Sequence, residues 1–134
     1  MKGEDRSHTL ETILQRLCLV VEQVKCCVIA TEDGLPVASY PVDGDGNGPG
    51  QMIDSAELAA LAASLTGAGE RTMHRLAQGK PGRLVLEGEA GTMLSFPVGD
   101  VSLAVLVASD ANLAQVLFAA QKAAEEIDSV LAPI

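Results

Sequence analysis

Apolar residues recur at helical spacing in the first part of the chain, with charged and polar residues between them. This spacing predicts an amphipathic helix that begins near Leu10. Ser7 or Thr9 is suited to cap its start, because a hydroxyl oxygen accepts a hydrogen bond from a free backbone N–H group. Residues 1–8 are expected to be flexible. The apolar positions of the helix are Leu10, Ile13, Leu14, Leu17, Val20, Val21 and Val24.

Two runs of strand-forming residues follow, on either side of Asp33-Gly34. Because Asp-Gly tolerates the positive φ angles of a tight turn, this segment predicts a hairpin with strands at about 26–31 and 35–40. A long second helix is predicted from about Ile53 to Gln78. The next three runs, "RLVLE", "TMLSFP" and "VSLAVLVA", are separated by turn residues and predict an antiparallel meander.

A last helix is predicted to follow a cap at Asp110 or Asn112 and to end near Leu131. The predicted order of elements is therefore α-β-β-α-β-β-β-α. Three helices and a five-stranded antiparallel sheet indicate an α+β layered fold. The 134 residues are expected to form a single domain without a linker or an internal repeat.

The second helix is unusual because residues 58–69 carry no charge. One side of its helical wheel is expected to pack on the sheet and contains Leu58, Leu61, Leu65, Thr72 and Leu76. A helix that is apolar on two sides is normally buried on both. We therefore predict that a partner covers the opposite side, which contains Ala56, Ala59, Ala63, Thr66 and Gly67. Two alternatives remain: an exposed alanine-rich surface, or coverage by the terminal helices within the monomer.

The run "RLVLE" has the properties of an edge strand that accepts a partner. Leu84 and Leu86 alternate with Val85, and the run contains no proline and little charge that would prevent pairing. We predict that this strand pairs with its own copy across a two-fold axis.

Composition and charge exclude several classes of partner. Eighteen acidic and nine basic residues give a net charge of −9, which repels the phosphates of nucleic acids. Aromatic residues form only 2% of the chain, so stacking platforms for bases are missing. No run approaches the roughly 18 apolar residues of a membrane span, so no membrane insertion is expected. The chain has three cysteines, which is an odd number, and their spacing does not match a metal site. They are therefore expected to be reduced, as is usual in the cytoplasm.

The sequence lacks the common catalytic motifs, including G-x-S-x-G and a complete phosphate-binding P-loop. No enzyme activity and no cofactor are therefore predicted. Arg71 and Arg75 could act on a partner's nucleotide, but solvated cations near a helix C-terminus are the favoured interpretation.

The segment "VDGDGNGPGQMID" partly matches a calcium-binding loop through Asp43, Asp45, Asn47, Gly48 and Asp54. The strand-like residues before it end in Pro41, which is incompatible with the incoming helix of such a loop. Its twelfth position is aspartate where the loop normally has glutamate. A flexible connector of turn residues explains the same composition and is favoured. No metal site is therefore predicted, and a calcium-binding or hydrolytic module remains the less favoured hypothesis.

Four segments together resemble the roadblock/dynein light-chain family, in particular its bacterial MglB-like members. These segments are "TEDGLPVAS", "IDSAELAALAASLTGAGERTMHRLA", "LEGEAGTMLSFPVGDVSLAVLVASD" and "NLAQVLFAAQKAAEEI". The resemblance extends from about Leu10 to Leu131, although the loop at 43–50 is longer and richer in glycine than the family's usual turn.

The resemblance implies a roadblock/profilin-like layered fold and a homodimer with paired middle helices and paired third strands. It also implies a non-enzymatic regulator that binds a small Ras-like GTPase and modulates its nucleotide cycle or localisation. A scaffold subunit in a signalling or motor complex, without any effect on nucleotide hydrolysis, is the alternative. The predicted dimer contact comprises Ala56, Ala59, Ala63, Gly67, Leu84, Val85 and Leu86. The predicted GTPase-binding rim is polar and comprises Glu70, Arg71 and His74.

Overall fold

The computed structural model describes residues 2–41 and 54–132, which contain three helices and five strands in the predicted order. The helices are α1 (Lys2–Val20), α2 (Ser55–Arg75) and α3 (Leu113–Leu131). The strands are β1 (Val24–Thr31), β2 (Pro36–Tyr40), β3 (Leu84–Glu87), β4 (Gly91–Val98) and β5 (Val101–Ala108). They form one antiparallel sheet in the order β2-β1-β5-β4-β3, so β2 and β3 are the edge strands. The predicted α+β fold is confirmed.

The larger part of the core lies on the face of the sheet that α1 and α3 cover. Leu14 of α1 and Ile127 of α3 are fully buried there, together with Phe96 of β4. Both terminal helices therefore cover the same side of the sheet. The hypothesis that they cover the small-residue side of the middle helix is wrong.

Among the described elements, α2 alone covers the opposite face of the sheet, through a smaller core. Its members are small or medium-sized, which allows the helix axis to lie close to the sheet. They are Val28, Ala30, Leu58, Ala59, Ala62 and Ala104.

The predicted hairpin joins β1 to β2, and its turn contacts α2. Gly34 has a φ of +83°, a conformation that glycine adopts without strain. A Cβ atom at this position would also lie 3.1 Å from the Cα atom of Ala60. The turn therefore requires glycine for two reasons, and it brings the β1–β2 turn to the side of α2.

Two helix ends differ from the predictions. The helix α2 ends at Arg75, three residues before the predicted end at Gln78. The helix α1 begins at Lys2, so residues 2–8 are helical, and their flexibility stays a prediction. Neither Ser7 nor Thr9 is a cap, because the Thr9 hydroxyl donates to the carbonyl of Asp5 inside the helix, at 2.8 Å. For α3, the predicted cap at Asn112 is confirmed, since its side chain accepts from the Gln115 N–H at 3.2 Å.

Candidate functional site

The helix α2 crosses the sheet from β1 towards the edge strand β3 and is attached along its length. Asp54 caps its first turn by accepting a hydrogen bond from the Glu57 N–H at 2.7 Å. In the middle, the Thr66 hydroxyl lies 2.8 Å from the Ser95 hydroxyl of β4. Near the edge, a Cβ atom on Gly69 would overlap the side chain of Leu84 of β3. About 9 Å of helix follow Gly69, at 1.5 Å per residue, so the end of α2 extends beyond this contact.

The side of α2 that faces the sheet differs from the predicted one. Ala59 is fully buried and Thr66 is 9% exposed, whereas Leu61 is 49% exposed. The small residues therefore pack against the chain's own sheet, and two leucines assigned to the sheet, Leu61 and Leu76, are exposed. Ala59 has no surface left for a partner, so its assignment to the dimer contact is wrong. Ala56 is exposed, and Ala63 and Gly67 are half-buried.

An exposed apolar surface lies along one side of α2. Ala62 and Thr66 point to the sheet, so the residues just before each of them, Leu61 and Leu65, lie on one flank of the helix. On the sheet below this flank, Leu86 of β3 is the register partner of Met93, which is also paired with Leu106 of β5. Leu86 is 57% exposed. We name this surface the apolar flank: Leu61, Leu65, Leu86, Met93 and Leu106.

The strand β3 lies at the sheet edge, as predicted, and its hydrogen bonding leaves one side open. The N–H of Gly88 donates to the carbonyl of Gly91 across the β3–β4 turn, at 2.8 Å. Because N–H directions alternate along a strand, the N–H groups of Leu84 and Leu86 also point towards β4, and those of Val85 and Glu87 point away from the sheet. No described strand occupies the outward edge of β3, so this edge can pair with another strand. Whether this edge pairs with a second copy remains a prediction.

The three residues of the predicted rim lie in the second half of α2 and are all exposed. They are Glu70, Arg71 and His74. Glu70 lines a cavity together with Ala63 and Gly67, and this cavity lies along the side of α2 opposite to the apolar flank. The rim is therefore on the opposite side of the helix from the apolar flank. The structure thus groups the rim residues together, and their role in binding remains a prediction.

This cavity of about 280 Å³ lies between α2, the β1–β2 turn and the β4–β5 turn. Its polar lining consists of carboxylates and hydroxyls and contains no Lys, Arg or His. The polar side chains that line it are Thr31, Glu32, Thr66, Glu70, Asp100 and Ser102. The cavity was missed in the sequence because its residues come from three separate segments. No local pattern would have identified it, because Thr31 ends β1, Thr66 lies on α2 and Ser102 is the second residue of β5.

Two of the three cysteines meet between α1 and β1. The sulfur atoms of Cys18 and Cys27 lie 3.6 Å apart, and Cys27 is buried. The hydrogen bond from Cys27 lowers the pKa of Cys18, since a donor stabilises the thiolate. The same pairing, together with burial, raises the pKa of Cys27. Of these two, Cys18 is therefore the thiol that ionises first.

Within residues 2–41 and 54–132, no group of three His, Cys, Asp or Glu side chains is placed to hold a metal ion. The calcium hypothesis concerns residues 43–54, of which all but Asp54 lie outside the described residues. It remains untested. No helix in the described ranges is both long and apolar enough to cross a bilayer.

The comparisons with known proteins agree with this architecture. The model of the Roadblock/LC7 domain family matches residues 10–108. No curated protein matches the sequence. A Roadblock/LC7 domain structure from Streptomyces avermitilis is 21% identical, with a TM-score of 0.80 over 92% of this chain and 98% of that one. Myxococcus xanthus MglB is 20% identical, with a TM-score of 0.76 over 90% and 86% of the two chains. Acanthamoeba castellanii profilin IA is 12% identical, with a TM-score of 0.57 over 89% and 96%. At these identities, the structures show a shared fold.

Proposed function

Because the chain belongs to the Roadblock/LC7 domain family, we propose that it is a homodimeric, non-enzymatic regulator of a small Ras-like GTPase. In this proposal the dimer binds the GTPase and modulates its nucleotide cycle or its localisation in the cytoplasm. The family resemblance supports the class of partner. The surfaces of α2 and β3 support the dimer.

The observation that carries the dimer is the position of the apolar flank beside an open sheet edge. Its five members come from α2, β3, β4 and β5, and none of them is charged. A contiguous exposed apolar surface is a mark of a protein interface. With a net charge of −9 on each copy, an uncharged surface is also where two copies repel each other least.

The edge strand restricts how the two copies meet. In an antiparallel pair, residues that point outward must face each other, so Val85 pairs either with Val85 or with Glu87 of the second copy. Both registers place the two-fold axis at Val85 or Leu86, beside the apolar flank. The flank of each α2 would then be covered by the other α2, and the sheet would continue through the dimer. The predicted contact is thereby revised. Leu61 and Leu65 replace the four small residues of α2, and the three residues of β3 are retained. The residues replaced are Ala56, Ala59, Ala63 and Gly67, and those retained are Leu84, Val85 and Leu86.

The GTPase-binding rim at Glu70, Arg71 and His74 lies on the other side of α2 and stays exposed in this dimer. Protein interfaces typically have an apolar centre and a polar rim. Charged residues at the rim mainly affect the rate at which the partner associates. Since no nucleotide-binding motif is found in the chain, the proposed effect is exerted by positioning the GTPase's own residues.

Single-turnover GTP hydrolysis tests this function, with each small Ras-like GTPase from the same genome measured alone and with the dimer. We expect at least about a tenfold change in rate, or in nucleotide release, for one of them. His74→Ala should weaken that effect, and Glu57→Ala, an exposed acidic position on the same helix, should not. Binding without any change in either rate would leave localisation of the GTPase as the proposed role. No complex with any of these GTPases would contradict the proposed function and favour the scaffold alternative.

A further inference from the structure

The cavity beside α2 is surrounded by carboxylates that have no cationic partner. Glu32, Glu70 and Asp100 line it from three separate segments of the chain. In the described part of the chain, none of them lies within ion-pair distance of a lysine, arginine or histidine. The Arg71 guanidinium lies beside the cavity wall, since its Nη1 atom would be 3.3 Å from a Cβ atom on Gly67, but it forms no ion pair with the three carboxylates. Three carboxylates around one cavity, with a single cation nearby, attract a further positively charged group.

A second feature of the cavity is independent of its charge. Ser102 of β5 is only 4% exposed and belongs to the cavity wall. Among the described residues, none forms a hydrogen bond with its hydroxyl, in contrast to Thr66, whose hydroxyl is bonded to Ser95. No fully buried side-chain oxygen or nitrogen of the described residues lacks a partner, so the Ser102 Oγ atom is reached by solvent. A largely buried side chain with a hydroxyl open to the cavity offers a hydrogen-bonding group to a ligand there.

Size and geometry restrict the ligand. The volume of about 280 Å³ is slightly below the roughly 300–1,000 Å³ of small-molecule pockets, so it suits one long side chain. The described acidic side chains are not placed to hold a metal ion together. A guanidinium group fits better, since its five N–H donors point in several fixed directions and reach separate acceptors.

We propose that this cavity is a docking site for an arginine side chain of a protein partner. The guanidinium would donate to the Ser102 hydroxyl at the inner end and to carboxylates of Glu32, Glu70 and Asp100 nearer the surface. The site is separate from the proposed dimer contact, because it lies on the opposite flank of α2. It does not require that the partner be a GTPase.

The site can be tested by NMR titration of the ¹⁵N-labelled protein with the capped peptide acetyl-Gly-Arg-Gly-amide. We expect saturable shifts of the amides of Gly67, Gly99 and Ser102. The matched peptide with citrulline, which has the same shape without the charge, should bind at least about tenfold more weakly, a difference of about 1.4 kcal/mol. Equal binding of the two peptides, or shifts confined to other residues, would overturn the proposal.

Titrations of variants test the position of the site, and a titration with methylguanidinium tests the identity of the ligand. Glu70→Gln and Ser102→Ala should each weaken the arginine peptide severalfold, and Glu57→Gln on the first turn of α2 should not. If Glu57→Gln has the same effect as Glu70→Gln, only general charge attraction is measured and the site is wrong. Methylguanidinium should bind more weakly than the peptide; binding of equal strength would identify a small free cation and contradict a protein side chain. These titrations need no GTPase, so their failure leaves the proposed function untouched, and the reverse also holds.

Discussion

The hydroxyl of Thr66 on α2 and the hydroxyl of Ser95 on β4 form a buried hydrogen bond of 2.8 Å. Ser95 is fully buried, so this bond has no competition from solvent. Together with the packing of Ala59 and Ala62 on the sheet, it holds α2 in the rotation in which Leu61 lies on one flank and the cavity on the other.

We predict that Thr66→Val destabilises the protein by about 1–3 kcal/mol, because the Ser95 hydroxyl is left buried without a partner. The double variant Thr66→Val/Ser95→Ala should regain much of this loss, since both polar groups are then removed. Urea unfolding at one fixed protein concentration measures the difference. The matched control is Thr12→Val, an exposed position on α1 away from the apolar flank, where a change within about 0.5 kcal/mol is expected. A loss in the control as large as in Thr66→Val would contradict the assigned role of this bond.

The edge strand gives a second prediction. Val85→Pro should weaken the dimer at least about tenfold while the monomer stays folded, because the lost N–H points away from the chain's own sheet. Leu86→Pro is the comparison, since it removes an N–H that points towards β4 and should reduce the stability of the monomer itself. Sedimentation velocity and circular dichroism separate the two effects. If Val85→Pro dimerises as tightly as the unmodified chain, β3 does not pair with its copy.

A third prediction concerns the thiol pair. The hydrogen bond from Cys27 lowers the pKa of Cys18. The Cys18 thiolate therefore forms at a lower pH than that of an ordinary thiol. Because the thiolate is the reactive form, alkylation of Cys18 by iodoacetamide should also accelerate at a lower pH. Cys27→Ala removes the donor, so the midpoint of the rate against pH should move upwards. Tandem mass spectrometry assigns the alkylated position. Faster labelling of Cys27 than of Cys18 in the intact protein would contradict the assignment.

The order and type of the elements could be predicted from the sequence because each has one clear period. The strand β5 was predicted at its observed bounds from the run "VSLAVLVA", and the Asp33-Gly34 turn from its residue pair. The start of α1 could not be predicted, since residues 2–8 contain no apolar period, although they are helical.

The orientation of α2 was predicted wrongly for a physical reason. Its two sides are both apolar, so a helical wheel has no polar face that would identify the solvent side. The choice depends on how closely the helix approaches the sheet, and at Ala59 and Ala62 only small side chains fit over Val28 and Ala104. That distance is a property of the packed structure. The cavity likewise depends on the meeting of separate segments, which one sequence does not encode in any local pattern.

The most direct test of the account is the molar mass of Leu61→Glu, measured by size-exclusion chromatography with light scattering. Leu61 is half exposed in the monomer, so glutamate is tolerated there, but a buried, unpaired carboxylate is costly at the centre of a dimer contact. Leu19→Glu is the matched control, because Leu19 lies on α1, on the other face of the sheet, and is 68% exposed. The account predicts twice the subunit mass for the unmodified chain and for Leu19→Glu, and a folded monomer for Leu61→Glu. A Leu61→Glu protein that stays fully dimeric at the same concentration would contradict the apolar flank as the surface that joins the two copies.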